Sequence, residues 1–208
     1  MCERRKKAME REEGYEGFVQ VYTGNGKGKT TAAIGIAMRM VGAGGKVLFM
    51  QFMKGQAYSE QKILKNMEPD LIWEAIGKPF FVAKEGTISE EDLASYGDGI
   101  VVFPPGEPPQ IYVDMVADGF ARAAEAIASG EYDMVVLDEI NCAMYFELIS
   151  SETVLEGISE KAEKTEVILT GRQAPPEIIE AADLVTEMKE IKHYFTTKGI
   201  TSRKGIEN

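Results

Sequence analysis

The feature that most constrains this chain is a short segment rich in glycine and lysine. Residues 23–31 read Thr-Gly-Asn-Gly-Lys-Gly-Lys-Thr-Thr, after an apolar run at 18–22 and before a helical pattern of small residues at 32–38. Glycines let backbone N–H groups approach phosphate oxygens, and a helix N-terminus adds partial positive charge. The segment therefore predicts a strand, a phosphate-binding loop and a helix that together hold a nucleotide triphosphate.

The predicted phosphate-binding residues are consecutive: Gly24, Asn25, Gly26, Lys27, Gly28, Lys29, Thr30 and Thr31. Lys29 is expected to reach the phosphates as a point charge, and the Thr30 hydroxyl to ligate Mg²⁺ or Mn²⁺. The usual pattern G-x-x-x-x-G-K-[ST] would place a glycine at Thr23, so this loop is a variant. A Gly-Lys-Thr triplet alone would also fit a flexible turn, but the three alternating glycines favour phosphate binding.

Composition limits the class of protein. The 208 residues are 44% hydrophobic and 27% charged, which suits one globular domain. The net charge of −11 disfavours binding to nucleic acid or to anionic lipid. No apolar run approaches the roughly 20 residues of a membrane span. We therefore expect a cytoplasmic protein without a nucleic-acid or membrane partner.

Few residues suit metal or nucleophilic chemistry. The two cysteines, Cys2 and Cys142, form no metal-binding spacing, and His193 is the single histidine. An H-E-x-x-H zinc site is therefore excluded, and a reducing compartment is the simpler interpretation of the cysteine content.

Apolar runs of strand length alternate with helical patterns, which predicts an α/β fold with a mostly parallel central sheet and helices on both faces. The predicted strands are 18–23, 46–52, 71–76, 133–138, 166–170 and 184–187, and the predicted helices are 30–42, 58–67, 110–129, 151–163 and 175–182. Residues 1–16 are predicted to form a charged, partly basic helix or cover, and 17–208 the nucleotide-binding domain. The proline- and glycine-rich region near 77–109 is expected to be a lid or an insertion.

A second site element lies at the end of the apolar strand 133–138. Asp138 and Glu139 end that strand, and in P-loop proteins such an acid holds Mg²⁺ beside the loop. A buried strand that runs into an acidic turn would look the same. Arg172 follows the next strand and is a candidate phosphate contact, although a surface arginine would also fit. Gln51 and Lys54, at the end of the strand 46–52, are weaker candidates.

At this point the chain resembles a known family, the P-loop ATP:corrinoid adenosyltransferases. The resemblance rests on the variant loop within 21–33 and on five further segments, 51–55, 135–139, 168–172, 191–193 and 203–207. It implies a RecA-like P-loop fold, a homodimer, and transfer of the 5′-deoxyadenosyl group of ATP to the Co(I) of a corrinoid with release of triphosphate. A flavoprotein reductase is the partner expected to supply the reduced corrinoid.

The resemblance also assigns roles. Lys29 and Arg172 would stabilise the leaving triphosphate, and Thr30 with Asp138 or Glu139 would hold the metal. Family members have apolar side chains that expel the lower axial ligand of cobalt. The aromatic pair of the enterobacterial members has no matching form here, so Phe80 and Phe81 are the nearest candidates for the corrin face, with Trp73 behind them and 3–13 as a cover.

Two other functions fit the loop. A nucleotide-dependent ATPase or switch that binds a protein partner would use Glu139 to activate water and would release ADP. A small-metabolite kinase would yield ADP and a phosphorylated acceptor. The identity of the phosphate product separates the three functions.

Overall fold

The computed structural model describes residues 14–55, 58–78, 81–87, 100–200 and 203–206. Six strands form a central sheet in the order β3-β2-β6-β7-β1-β8, and every neighbouring pair is parallel. Two more strands, β4 and β5, form a separate parallel pair. The strands are β1 Val19–Thr23, β2 Val47–Phe52, β3 Leu71–Ile76, β4 Phe81–Lys84, β5 Ile100–Phe103, β6 Met134–Asp138, β7 Glu166–Thr170 and β8 Leu184–Glu187.

Seven α-helices connect these strands in the described part of the chain. They are α1 Lys29–Gly42, α2 Gln61–Leu64, α3 Gln110–Ser129, α4 Ile140–Tyr145, α5 Ser151–Ser159, α6 Pro176–Ala181 and α7 Tyr194–Lys198. A 3-10 turn, Lys65–Met67, extends α2. The predicted α/β class and parallel sheet are therefore confirmed.

The core lies on both faces of the sheet, because successive strand residues point in opposite directions. Val21 and Leu48 are buried in the larger core cluster, together with residues of α3 to α6. Tyr22 and Phe49, their immediate neighbours, are buried in the smaller cluster against α1 and α2. Burial on both faces explains why these strands read as continuous apolar runs rather than as alternating patterns.

The sequence patterns located the strands of the central sheet well and missed several short elements elsewhere. The strands predicted at 71–76, 166–170 and 184–187 match the observed bounds, and the other three observed strands begin one residue later than predicted. The pair β4 and β5 was not predicted, because glycines and prolines dominate the region around these two four-residue strands. The six-residue helix α4 is likewise too short to show a helical period.

The described part of the region 77–109 contributes to the core. Val82, Ala83 and Phe103 are buried, and Val82 and Phe103 belong to the larger cluster. A lid or an insertion here stays a prediction, and so does the cover formed by 1–16, of which residues 1–13 lie outside the described residues. No helix in the described part of the chain is long and apolar enough to cross a membrane.

Candidate phosphate-binding and active site

The carboxyl ends of the parallel strands bring the predicted site segments to one edge of the sheet. The loop 24–28 follows β1, Glu139 follows β6 and Arg172 lies just beyond β7. In the pairing of β2 with β6, Gln51 lies opposite Asp138. Ligands of open α/β sheets bind at this edge, so the topology supports the predicted location of the site.

The glycines of the loop are required by its backbone and by a close neighbour. Gly24 and Gly28 have φ angles of +96° and +111°, which L side chains rarely adopt. The Gly26 N–H donates to the Met188 carbonyl at 2.7 Å. A Cβ at Gly24 or Gly26 would lie 2.5 or 2.7 Å from that carbonyl oxygen. The loop is therefore packed against the segment that follows β8.

Thr23 explains why the usual first glycine is absent. It is the last residue of β1 and is buried, and its hydroxyl accepts a hydrogen bond from the Ala174 N–H at 3.3 Å. The turn begins one residue later, at Gly24, where the backbone first takes a positive φ.

Lys29 is the first residue of α1 and is buried within the loop. Its ammonium donates to the Gly24 carbonyl at 2.7 Å and to the Gly26 carbonyl at 2.8 Å. Burial lowers the pKa of Lys29, and the nearby Glu139 charge opposes that shift. An ammonium has three donors, so two hold the loop in shape and one is left for a phosphate.

Asp138 is the centre of a buried polar cluster, which we call the Asp138 cluster. It comprises Thr30, Gln51, Lys54, Asp138 and Thr170. Both threonine hydroxyls donate to Oδ1 of Asp138, Thr30 at 2.8 Å and Thr170 at 2.6 Å. Gln51 and Lys54 donate to Oδ2, at 3.1 and 2.9 Å. Burial disfavours the Lys54 ammonium, but the charge and hydrogen bond of Asp138 prevail and raise its pKa.

A second layer of hydrogen bonds orients Gln51. Its Oε1 accepts from the Trp73 indole at 2.9 Å and from the Gln61 amide at 3.5 Å. Trp73 thus links β3 to the Asp138 cluster and packs beside the smaller core, with Lys65 over its ring. A place for Trp73 behind the predicted corrin aromatics stays a prediction.

Glu139 is held in a strained position at the start of α4. Its φ is +65°, a left-handed value that is uncommon for a residue other than glycine. Its backbone N–H donates to the Thr170 hydroxyl at 3.0 Å. The Cys142 thiol donates to its Oε2 at 2.8 Å, and burial raises the pKa of that thiol well above its usual range. Cys142 is therefore a neutral hydrogen-bond donor that orients the carboxylate.

One cavity of about 780 Å³ lies over the loop. Six of the eight predicted loop residues line it, and Lys54, Glu139 and Arg172 face the same space. Asp138 is fully buried beneath the cavity, while Gly24 and Asn25 lie at the start of the loop. The structure thus brings Lys29, Thr30, Glu139 and Arg172 together.

The cavity also has walls that the sequence patterns did not assign to the site. One wall is formed by Ile34, Tyr58, Ser59, Glu60 and Ile63, and the other by Tyr194, Gly205 and Ile206. In this second wall, Tyr194 directly follows segment 191–193, and Gly205 and Ile206 lie within segment 203–207. The resemblance of these two segments to the family was the sequence feature that could have pointed to this wall. His193 itself caps α7, its Nδ1 accepting from the Phe195 N–H at 3.0 Å.

The side chains of the two aromatic residues predicted for the corrin face lie outside the described part of the structure. Phe80 lies outside the described residues, and the backbone of Phe81 begins β4. Their role stays a prediction.

Comparison with known proteins identifies the family. A model of the family described as ATP:corrinoid adenosyltransferase BtuR/CobO/CobP matches residues 15–208. The chain belongs to this family. The resemblance seen in the sequence is therefore confirmed, and the cavity over the variant loop is that of a member of the ATP:corrinoid adenosyltransferase family.

Curated relatives support the same assignment over most of the chain. A corrinoid adenosyltransferase of Pseudomonas aeruginosa is 32% identical and covers 92% of this chain and 83% of its own length. A corrinoid adenosyltransferase of Sinorhizobium is 34% identical and covers 98% of this chain and 86% of its own. Among solved structures, the flagellar accessory protein FlaH from Methanocaldococcus jannaschii has a TM-score of 0.46 and 15% identity, over 83% of this chain and 71% of FlaH.

Proposed function

We propose that this chain transfers the 5′-deoxyadenosyl group of ATP to the cobalt of a reduced corrinoid and releases triphosphate. The observation that carries the proposal is the single cavity in which Lys29, Thr30, Glu139 and Arg172 meet over the variant loop. The phosphate-binding part of this cavity suits the nucleotide, and membership of the ATP:corrinoid adenosyltransferase family supplies the acceptor.

The reaction needs little acid–base chemistry from the protein. The electron pair of Co(I) forms a bond to C5′ of the ribose, the C5′–O bond breaks, and its electron pair leaves with the triphosphate. Cobalt is thereby oxidised formally from Co(I) to Co(III). Co(I) is itself a strong nucleophile, so the protein must orient C5′ and stabilise the charge of the leaving group.

We assign the leaving-group stabilisation to the loop amides, Lys29 and Arg172. Residues 26–31 of the loop and helix start line the cavity, and Lys29 keeps one donor for a phosphate oxygen. Arg172 reaches the same cavity from the end of β7. These groups are fixed before the reaction, so they need little reorganisation as negative charge develops.

The residues present fit a divalent cation. The Thr30 hydroxyl and the Asp138 carboxylate are hard oxygen donors held 2.8 Å apart, and Glu139 supplies a third oxygen group in the cavity. No cluster of three or more histidine, cysteine or acidic residues suited to a metal occurs in the described part of the chain, so phosphate oxygens would complete the ligand set. Bound there, Mg²⁺ or Mn²⁺ would neutralise the triphosphate.

The phosphate product tests the proposed function. With ATP, Mg²⁺ and chemically reduced corrinoid, we expect triphosphate and adenosylcorrinoid to appear in equal amounts. Without the corrinoid, we expect neither. Release of ADP and phosphate without a corrinoid would instead identify an ATPase, and ADP with a phosphorylated acceptor would identify a kinase.

Glu139→Gln separates the metal role from that of a hydrolytic base. We expect the Mg²⁺ concentration for half-maximal activity to rise about tenfold, because the metal loses an oxygen ligand or a group that orients one. A matched control is Glu125→Gln, which changes an exposed acid on α3. Unchanged Mg²⁺ dependence combined with loss of phosphate release would instead make Glu139 a base.

We also propose that Phe80 and Phe81 face the corrin and expel the lower axial ligand of cobalt. Phe80→Ala and Phe81→Ala should leave ATP affinity almost unchanged. They should weaken the paramagnetic signature of four-coordinate Co(II) when the ATP-loaded protein meets cob(II)alamin. The control is Phe18→Ala, which removes an exposed aromatic side chain just before β1, at the end of that strand away from the phosphate-binding loop. A signature that survives both changes would place the corrin site elsewhere.

We further propose that the chain is a homodimer whose partner covers the outer edge of β8. Leu184 and Val185 of this edge strand are 45% and 40% exposed, and Ile191 and Phe195 beyond it are also exposed. Exposed apolar side chains beside a sheet edge favour pairing with another chain. Val185→Lys should shift the mass measured by light scattering from dimer to monomer, whereas Ile111→Lys, an exposed apolar residue on α3, should not. A monomeric wild-type protein would contradict the proposal.

The reduced acceptor requires an electron source. The described residues include one cysteine, Cys142, whose thiol donates to Glu139. We propose that a separate flavoprotein reductase supplies the reduced corrinoid.

A further inference from the structure

The carboxylate of Asp138 has no acceptor position to spare. A carboxylate offers about four lone-pair directions. Four donors already use them: Thr30 and Thr170 at Oδ1, and Gln51 and Lys54 at Oδ2. A divalent cation bound directly by Thr30 and Asp138 would therefore have to displace one of these donors.

Three of the four donors are poorly suited to move. Thr170 and Gln51 are fully buried strand residues, and Gln51 is fixed further by the Trp73 indole. Thr30 is itself the second proposed ligand of the cation.

Lys54 is the donor with somewhere to go. It follows β2, and its ammonium lies 2.9 Å from Oδ2 of Asp138 and 3.4 Å from the Thr30 hydroxyl. The same ammonium lies 5.1 Å from the centre of the Tyr58 ring. Both Lys54 and Tyr58 line the cavity over the loop. A small rotation of the long side chain would therefore carry the charge from Asp138 toward the proposed triphosphate position.

We propose that Lys54 is a tethered cation that competes with Mg²⁺ for Asp138 and Thr30 and moves into the triphosphate site when the metal displaces it. The proposal rests on the metal site described under the proposed function. Asp138 is fully buried, so its charge needs a cation at all times. Lys54 supplies that charge before the metal and the nucleotide arrive. Afterwards it adds a second cation beside the leaving triphosphate.

This exchange couples two binding events. Metal alone must break the ion pair of Lys54 with Asp138, and only the cavity acids Glu60 and Glu139 are then available to the displaced ammonium, so it binds weakly. Metal with a polyphosphate gives the displaced ammonium an anionic partner, so each ligand strengthens the other by the same factor. Removing the lysine charge should therefore strengthen binding of the metal alone and reduce the coupling.

The experiment measures Mn²⁺ binding by paramagnetic resonance, with and without inorganic tripolyphosphate, in the absence of ATP and corrinoid. For Lys54→Gln we expect Mn²⁺ alone to bind at least tenfold more tightly than to the wild type, and the coupling factor to fall at least tenfold. Lys54→Met also removes the charge but introduces no amide donor, and we expect it to change the Mn²⁺ affinity and the coupling factor as Lys54→Gln does. Lys62→Gln, an exposed lysine of α2, should change neither quantity.

The outcomes separate this inference from the metal site on which it rests. If wild-type protein fails to bind Mn²⁺ even with tripolyphosphate, the metal site itself is wrong, and the role of Lys54 is overturned with it. If wild type binds but folded Lys54→Gln shows unchanged or weaker affinity for Mn²⁺ alone, only the exchange is overturned. If circular dichroism shows that both variants fail to fold, Lys54 is a structural counter-ion and the exchange is likewise overturned.

Discussion

Replacing Lys29 with alanine is expected to slow adenosyl transfer by about 10²-fold or more, which corresponds to about 2.7 kcal/mol of lost transition-state stabilisation. Lys29 is buried in the loop, and its ammonium is held by the Gly24 and Gly26 carbonyls. It is thus a charge fixed in advance beside the predicted phosphate position. Because the ground state also carries phosphate charge there, ATP affinity should fall together with the rate.

The measurement is the initial rate of adenosylcorrinoid formation, together with ATP binding by calorimetry. Lys62→Ala, which truncates an exposed lysine on α2, is the matched control and should retain full activity. Thermal unfolding of both variants checks that they fold. We expect the Tm of Lys29→Ala to change by only a few degrees, because no apolar core residue is altered. Turnover near the wild-type rate in folded Lys29→Ala would remove the loop from the mechanism.

Asp138→Asn is expected to cost both stability and activity. The change removes a fully buried charge that accepts hydrogen bonds from four side chains and pairs with Lys54, whose side chain is 12% exposed. Losing one partner of a buried ion pair costs about 3 kcal/mol, or roughly 6 to 12 °C in Tm for a chain of this size. The Mg²⁺ requirement should rise by about 10- to 100-fold because the metal loses an anionic partner.

Calorimetry and the Mg²⁺ dependence of the rate measure these two effects separately. The control is Asp118→Asn, an exposed aspartate of α3, for which neither quantity should change. A lower Tm with a normal Mg²⁺ dependence would make Asp138 a structural residue, and the metal would then be held by other groups. A normal Tm would contradict the buried hydrogen-bond arrangement itself.

The sequence patterns were most informative where structure is local. The phosphate loop needs only a strand, glycines at defined turn positions and a helix start, and all three lie within residues 18–38. The same holds for the inner strands β2, β6 and β7, because burial on both faces makes each one a nearly continuous apolar run. Arg172 and Glu139 were predicted for a related reason, since both follow the carboxyl ends of buried strands.

Short elements and contacts between residues distant in sequence account for what those patterns missed. The strands β4 and β5 have four residues each and lie in a region rich in glycine and proline, and the six-residue α4 directly follows a strand without a start signal, so none of them was recognised. The walls of the cavity formed by Tyr58 and Tyr194 belong to segments far from the loop in sequence. For the C-terminal wall, the resemblance of segments 191–193 and 203–207 to the family was the only sequence feature that pointed to the site.

The sequence by itself determined the fold class, the phosphate loop and the family, because each is encoded in residues that are neighbours along the chain. The tertiary structure decided which donors surround Asp138. Thr30, Gln51, Lys54 and Thr170 are separated from Asp138 by 108, 87, 84 and 32 positions. They meet because β2, β6 and β7 are adjacent and parallel, with α1 packed beside them. Hydrogen bonds between side chains so distant in sequence depend on strand order and register, which no local pattern specifies.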